Sequence, residues 1–171
     1  MQMRSLLGAS LLFGSALHAH AQQLPVSLLP SDIEIQMTVV GSGGCAGRCI
    51  HYRVTITGDG TVRYEDLASP PLPVRTRMVP IEDVVTLTNE FVRARFFEAS
   101  SRYEGDRFYR LRDGKLQLLV HAAADGLTWD LSLRLGSAQK SVHLYIDIPN
   151  HLGRLRDLVD QMAGTTALQP R

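Results

Sequence analysis

Apolar and polar residues alternate over several short stretches of the chain, which is the pattern of a β-strand with one buried face. The clearest example is Ile33–Val40, in which Ile33, Ile35, Met37 and Val39 occupy one side. Further strands are predicted at His51–Thr57, Thr61–Glu65, Val74–Met78 (as an edge strand), Thr128–Leu135 and Lys140–Ile146.

Two glycine-containing turns predict hairpins. Gly58-Asp59-Gly60 separates two of the alternating stretches, and Asp113-Gly114 separates FYRLR from LQLLVHA. Both turns contain residues that tolerate the positive φ angles of tight hairpin turns. Between the first predicted helix and the second hairpin, the segment SSRYEGD is predicted to be a loop.

Two other stretches repeat apolar residues at helical spacing. The first follows Pro80, with acidic residues near its start and arginines near its end, as the helix dipole favours. Pro149 opens the second and Gly164 closes it. The predicted apolar stripes are Ile81, Val84, Val85, Phe91, Val92 and Phe96 in the first helix, and Ile148, Leu152, Leu155, Leu158, Val159 and Met162 in the second.

The order of these elements is strands, helix, strands, helix, without the regular alternation of a parallel doubly wound sheet. It predicts a single α+β domain, a mostly antiparallel sheet with two amphipathic helices packed on one face. The alternating strands fit a sheet whose other face is solvated.

The N-terminus has the features of a secretory signal peptide. Arg4 is followed by an apolar run over 5–17 and by the cleavage pattern Ala19-His20-Ala21. The predicted division is a signal peptide at 1–21, a flexible leader at 22–32, one α+β domain at 33–164 and a frayed tail at 165–171. A periplasmic or secreted protein is therefore expected, with no transmembrane segment after cleavage.

The charge balance argues against nucleic acid as a partner. The whole chain has 18 basic and 17 acidic side chains, and Arg4 is the one charged residue within 1–21. The chain after residue 21 is therefore formally neutral, with no overall field to attract DNA or an anionic membrane.

Cys45 and Cys49 are the two cysteines, within the segment CAGRCIH. In an exported chain an even number of cysteines favours a disulfide. A thioredoxin-type pair needs two intervening residues and a following helix, whereas here three residues intervene and a strand follows. A weaker alternative is a copper- or thiol-handling site formed by Cys45, Cys49 and His51.

No catalytic motif is present in the sequence. G-x-S-x-G, H-E-x-x-H and a P-loop ending are all missing. A hydrolase remains an alternative if His121, Asp125 and His143 assemble in space, with Asp130 near the same strands. No cofactor is expected.

Residues 45–64 resemble the bacterial domain-of-unknown-function family 6438. The matching pattern is C-x-G-x-C-x-x-Y followed by G-D-G-x-V-x-Y, and the likeness covers roughly residues 33–162. Ile50 stands where the family usually has proline, so pairing of the strand can begin directly after Cys49. Residues 107–122 resemble an additional hairpin relative to shorter members. The resemblance implies an exported or envelope-associated domain with paired cysteines, and it implies no activity.

The sequence therefore predicts a non-enzymatic binding or interaction module of the envelope. Its partner is expected to be a protein or a small molecule, held by the solvated sheet face or by the cysteine loop.

Overall fold

A computed structural model describes residues 29–42, 49–105, 107–120 and 126–165. In this part of the chain a seven-stranded sheet, a separate two-stranded hairpin and two helices form a single-domain α+β fold, which confirms the predicted class. The strands are β1 (Ile33–Ser42), β2 (His51–Thr57), β3 (Thr61–Asp66), β4 (Arg75–Met78), β5 (Arg102–Glu104), β6 (Arg107–Arg112), β7 (Lys115–Val120), β8 (Gly126–Leu135) and β9 (Ala138–Ile146). The helices are α1 (Ile81–Arg93) and α2 (Asn150–Ala163).

The large sheet has the strand order β4-β3-β2-β1-β8-β9-β5, and β5 is parallel to β9 while the other neighbours are antiparallel. The prediction of a loop over SSRYEGD missed β5. This strand has three residues, too few for an alternating pattern, and its pairing depends on where the chain returns after α1. The backbone N–H of His143 donates to the Ser101 carbonyl oxygen at 2.9 Å and fixes the approach of the two strands.

The hydrophobic core lies between one face of the large sheet and the two helices. Ile35 and Met37 of β1 and Leu131 of β8 are fully buried there, as the alternation predicts. Leu152 and Leu155 of α2 belong to the same core cluster. Each fully buried side chain of this kind contributes about 1.5–3 kcal/mol relative to an exposed position, so the sheet and helices stabilise each other.

Helix α1 buries only part of the stripe that the sequence predicts, namely Val84 and Phe91. Its buried residues are Val84, Leu87, Thr88 and Phe91. Three predicted members instead face solvent: Ile81 is 44% exposed, Val85 43% and Val92 54%. Apolar residues cover more of the helix circumference than the core can contact, and the stripe nearest the sheet is the one that packs.

Phe96 is buried as predicted, but it lies beyond the helix in a 3₁₀ turn, Phe96–Glu98. Its ring contacts the Phe91 ring edge-on, with 5.0 Å between the centroids. This geometry is favourable for aromatic pairs, so the contact stabilises the packing of the C-terminal end of α1 on the core.

Helix α2 follows the prediction closely. Leu152, Leu155 and Val159 are buried, and the chain leaves the helix at Gly164 with a φ of 67°. Thr165, predicted as the start of the tail, is 1% exposed and thus belongs to the packed structure. Neither helix of the described residues has the length and apolarity to cross a membrane.

Candidate functional site

The strands β6 and β7 form a hairpin that is separate from the large sheet. They are antiparallel and joined by Asp113 and Gly114, whose φ angles are 51° and 69°. Positive φ at both central residues is typical of the type I′ turn, whose twist matches that of the flanking strands. The hairpin at Asp113-Gly114 is therefore formed as the sequence predicts.

One face of this hairpin has four exposed apolar side chains next to the turn. Tyr109 pairs with Leu118, and Leu111 pairs with Leu116, so the four side chains form two adjacent cross-strand pairs. Their exposed fractions are 69%, 49%, 68% and 71% in that order. We call these four residues the hairpin apolar face. Isolated exposed leucines are ordinary on protein surfaces, but a contiguous group marks a site of interaction.

The opposite face of the hairpin is polar and basic near the turn, and Phe108 pairs with Leu119 on this face farther from the turn. Arg110 pairs with Gln117, and Arg112 pairs with Lys115 beside the turn. Residues 107–120 contain four basic residues and one acidic residue, Asp113. The hairpin therefore has an excess of three positive charges in a chain that is nearly neutral overall.

The part of the hairpin on either side of its turn is exposed to solvent. Every side chain from 109 to 118 is exposed, on both faces of the ribbon. A two-stranded hairpin without a third strand or a covering helix is marginally stable in water. A binding partner that covered the hairpin apolar face would therefore stabilise the hairpin.

The solvated face of the large sheet is polar instead. In one row across six strands the successive partners are Glu65, Arg53, Thr38, Asp130, His143 and Arg102. Charges of both signs alternate along this row, and Arg53 lies 3.8 Å from Glu65. This row of described residues therefore contains no apolar patch comparable to the hairpin apolar face.

Asp130 and His143 are adjacent on this open face. The His143 Nδ1 atom lies 2.7 Å from an Asp130 carboxylate oxygen. Such a pair can orient an imidazole, but among the described residues His143 has no hydroxyl partner that would act as a nucleophile. His121 and Asp125, the other residues of the hydrolase hypothesis, lie outside the described residues, so that hypothesis stays a prediction.

The cysteine segment is described in part. Cys49 is exposed and lies two residues before the start of β2, while Cys45 lies outside the described residues. The Ile50 carbonyl oxygen accepts a hydrogen bond from the Gly41 N–H at 2.7 Å, so pairing with β1 begins directly after Cys49. His51 begins β2 opposite Val40. The disulfide and the copper alternative of Cys45, Cys49 and His51 both stay predictions.

A buried polar cluster joins β2 to α2. The Tyr52 hydroxyl donates to the Asp160 carboxylate at 2.8 Å, and the Thr165 hydroxyl donates to the same oxygen at 2.7 Å. Burial, followed by the negative charge of Asp160, raises the pKa of the Tyr52 phenol above its ordinary value. Because every member has a partner and Tyr52 is 2% exposed, this cluster anchors the helix instead of forming an open reactive site.

A groove of about 420 Å³ lies between α1 and α2. Its walls include Arg77, Asp83, Glu90 and Met162. Both signs of charge line it, and Arg154 lies 3.4 Å from Glu90 at the groove. The groove therefore does not specify the charge of a ligand, in contrast to the hairpin, whose net charge is positive.

The sequence predicted the hairpin but not its isolation. The alternation of Tyr109 and Leu111 with Arg110 and Arg112 was visible in FYRLR, and it would ordinarily indicate a strand with one face on the core. Whether that face is exposed depends on whether another element packs on it. The alternation of residues within one strand does not contain this information. Comparison of the whole sequence with known protein families and with curated proteins found no match.

Proposed function

We propose that the protein is an exported, non-enzymatic binding module of the bacterial envelope that attaches to another envelope component through the hairpin apolar face. The observation that carries this proposal is the exposure of Tyr109, Leu111, Leu116 and Leu118 together on a hairpin that is separate from the large sheet. Binding would bury these side chains at about 25 cal/mol per Å² of apolar surface.

Three predictions from the sequence support a periplasmic or secreted location for this module. Residues 1–21 have the pattern of a cleaved signal peptide, which gives a periplasmic or secreted location. A Cys45–Cys49 disulfide is consistent with that oxidising environment. The resemblance to family 6438 points to the same compartment. No step of the proposed binding requires a catalytic group or a cofactor.

The proposal is tested by fractionation of cells that express the whole chain. Intact mass with thiol alkylation first establishes that cleavage follows Ala21 and that no thiol is free. We then compare the wild type with the double variant Leu111→Thr/Leu116→Thr, in which threonine preserves strand propensity but removes apolar surface. The matched control is Val85→Thr/Val92→Thr, which removes exposed apolar side chains from α1.

We expect the wild type and the α1 control to sediment with the envelope, and the hairpin variant to move to the soluble fraction. Retention of the hairpin variant with the envelope, or release of the wild type, would overturn the proposal. Circular dichroism of all three proteins shows whether each remains folded.

A further inference from the structure

We propose that the surface bound by the hairpin is an anionic lipid bilayer. This inference rests on the proposed function, because it names the partner of the same hairpin apolar face. It is carried by the combination of an exposed apolar face with a local concentration of positive charge on one ribbon.

The charge distribution is the first argument. After residue 21 the chain has equal numbers of acidic and basic side chains, yet residues 107–120 have four basic residues against one acidic residue. The fold places Arg110, Arg112 and Lys115 on a ribbon whose side chains are all exposed over 109–118. The chain is therefore neutral overall but has a positively charged surface on this ribbon. Anionic headgroups attract each lysine or arginine near the membrane surface.

The dimensions of the ribbon are the second argument. Its two strands are about 4.8 Å apart, so the long Arg110, Arg112 and Lys115 side chains can pass around its edges. They would reach lipid phosphates while Leu111 and Leu116 enter the acyl boundary. Tyr109 lies two residues from Leu111, about 7 Å along the strand. Tyr109 shares the face of Leu111 and Leu116, and tyrosine is enriched at the interface between membrane and water.

Charge also decides between a bilayer and a second copy of this chain. Two hairpin apolar faces could pack against each other, but each hairpin brings an excess of three positive charges to the contact. Like charges brought together disfavour that arrangement, whereas an anionic bilayer complements them.

The test is co-sedimentation of the intact purified protein with vesicles. Every preparation has the same N-terminus by mass, because a retained apolar signal segment would itself bind lipid. One set of vesicles contains phosphatidylglycerol and phosphatidylethanolamine, and the other contains phosphatidylcholine alone. The variants are Leu111→Thr/Leu116→Thr, the charge variant Arg110→Gln/Arg112→Gln/Lys115→Gln, and the α1 control Val85→Thr/Val92→Thr.

We expect wild type and α1 control to bind the anionic vesicles and to bind phosphatidylcholine weakly. The charge variant should lose about fivefold in partition for each basic residue removed, and added salt should weaken wild-type binding in the same direction. The leucine variant should lose binding to both kinds of vesicle.

Equal binding of the wild type and the charge variant to anionic vesicles would overturn the inference. So would an absence of vesicle binding together with release of the leucine variant from the envelope in cells. That second result would leave the proposed function standing and assign the hairpin to a protein partner. Sedimentation equilibrium completes the comparison, because a dimer abolished by Leu111→Thr/Leu116→Thr would identify a second copy as the occupant and would also overturn the lipid inference.

Discussion

Tyr52 shows how one residue couples the sheet to a helix that is distant in sequence. The alternation over His51–Thr57 predicts that Tyr52 faces the core, and it does, stacked on Tyr64 with 5.4 Å between the ring centroids. Its hydroxyl needs a partner there, and Asp160 of α2 provides one. No sequence pattern links two residues 108 positions apart, so this pairing could not be predicted from the sequence.

Replacing this hydroxyl gives a direct prediction. Tyr52→Phe removes a hydrogen bond to a charged acceptor, which contributes about 1.5–3 kcal/mol. We expect a fall of that size in the free energy of unfolding, measured by urea denaturation at neutral pH. Tyr109→Phe is the control, because Tyr109 is 69% exposed and its change should have little effect. Equal stability of Tyr52→Phe and the wild type would show that the contact contributes nothing net.

The raised pKa of Tyr52 adds a prediction about pH. In the unfolded chain a tyrosine ionises near its ordinary pKa of 10.0, whereas in the folded protein burial and Asp160 keep Tyr52 protonated at higher pH. Stability from this group is therefore complete below about pH 10 and decreases as pH rises above it. Between about pH 9 and 11 we expect the unfolding free energy of the wild type to fall more steeply than that of Tyr52→Phe. Parallel slopes would contradict the assignment.

At the scale of elements, hydrophobic periodicity predicted most strands and both helices but not every contact. The strand at Ile33–Val40 was predicted because alternation fixes which side of a strand is buried. The buried face of helix α1 was harder to predict, because Val84 and Val85 are adjacent and each fits the helical spacing of the apolar residues. Only the position of the sheet decides that Val84 is buried and Val85 exposed.

These two adjacent valines test the orientation of α1. Val84→Ala creates a cavity in the core and should cost about 2 kcal/mol of unfolding free energy. Val85→Ala changes a position that is 43% exposed and should stay within about 0.5 kcal/mol, since alanine also favours the helix. Thermal and urea denaturation of the two variants measure the difference. Equal losses would mean that α1 is rotated from the orientation described here.

At the scale of the whole molecule, composition and fold give different pictures of charge. The formal net charge of the whole chain is +1, from which no attraction to an anionic surface is expected. Residues 107–120 nevertheless have an excess of three positive charges, and residues 109–118 of this ribbon are exposed. Composition averages over the chain, whereas a binding partner meets only the surface that the fold presents, so the sequence alone did not indicate this site.

The separation of the hairpin from the large sheet predicts two stabilities within one molecule. Strands β1 and β8 are neighbours at the centre of the sheet and contain the fully buried Ile35 and Leu133, so their amides should exchange with solvent slowest. Amides of β6 and β7 should exchange much faster, although they are paired, because residues 109–118 are exposed on both faces of the ribbon. Hydrogen exchange followed by mass spectrometry measures both. Addition of phosphatidylglycerol-containing vesicles should slow exchange in 107–120 and leave β1 and β8 unchanged, while phosphatidylcholine vesicles should have little effect. Slow exchange of β6 and β7 without vesicles would mean that another part of the protein already covers the hairpin apolar face, and the site would then be unavailable for binding.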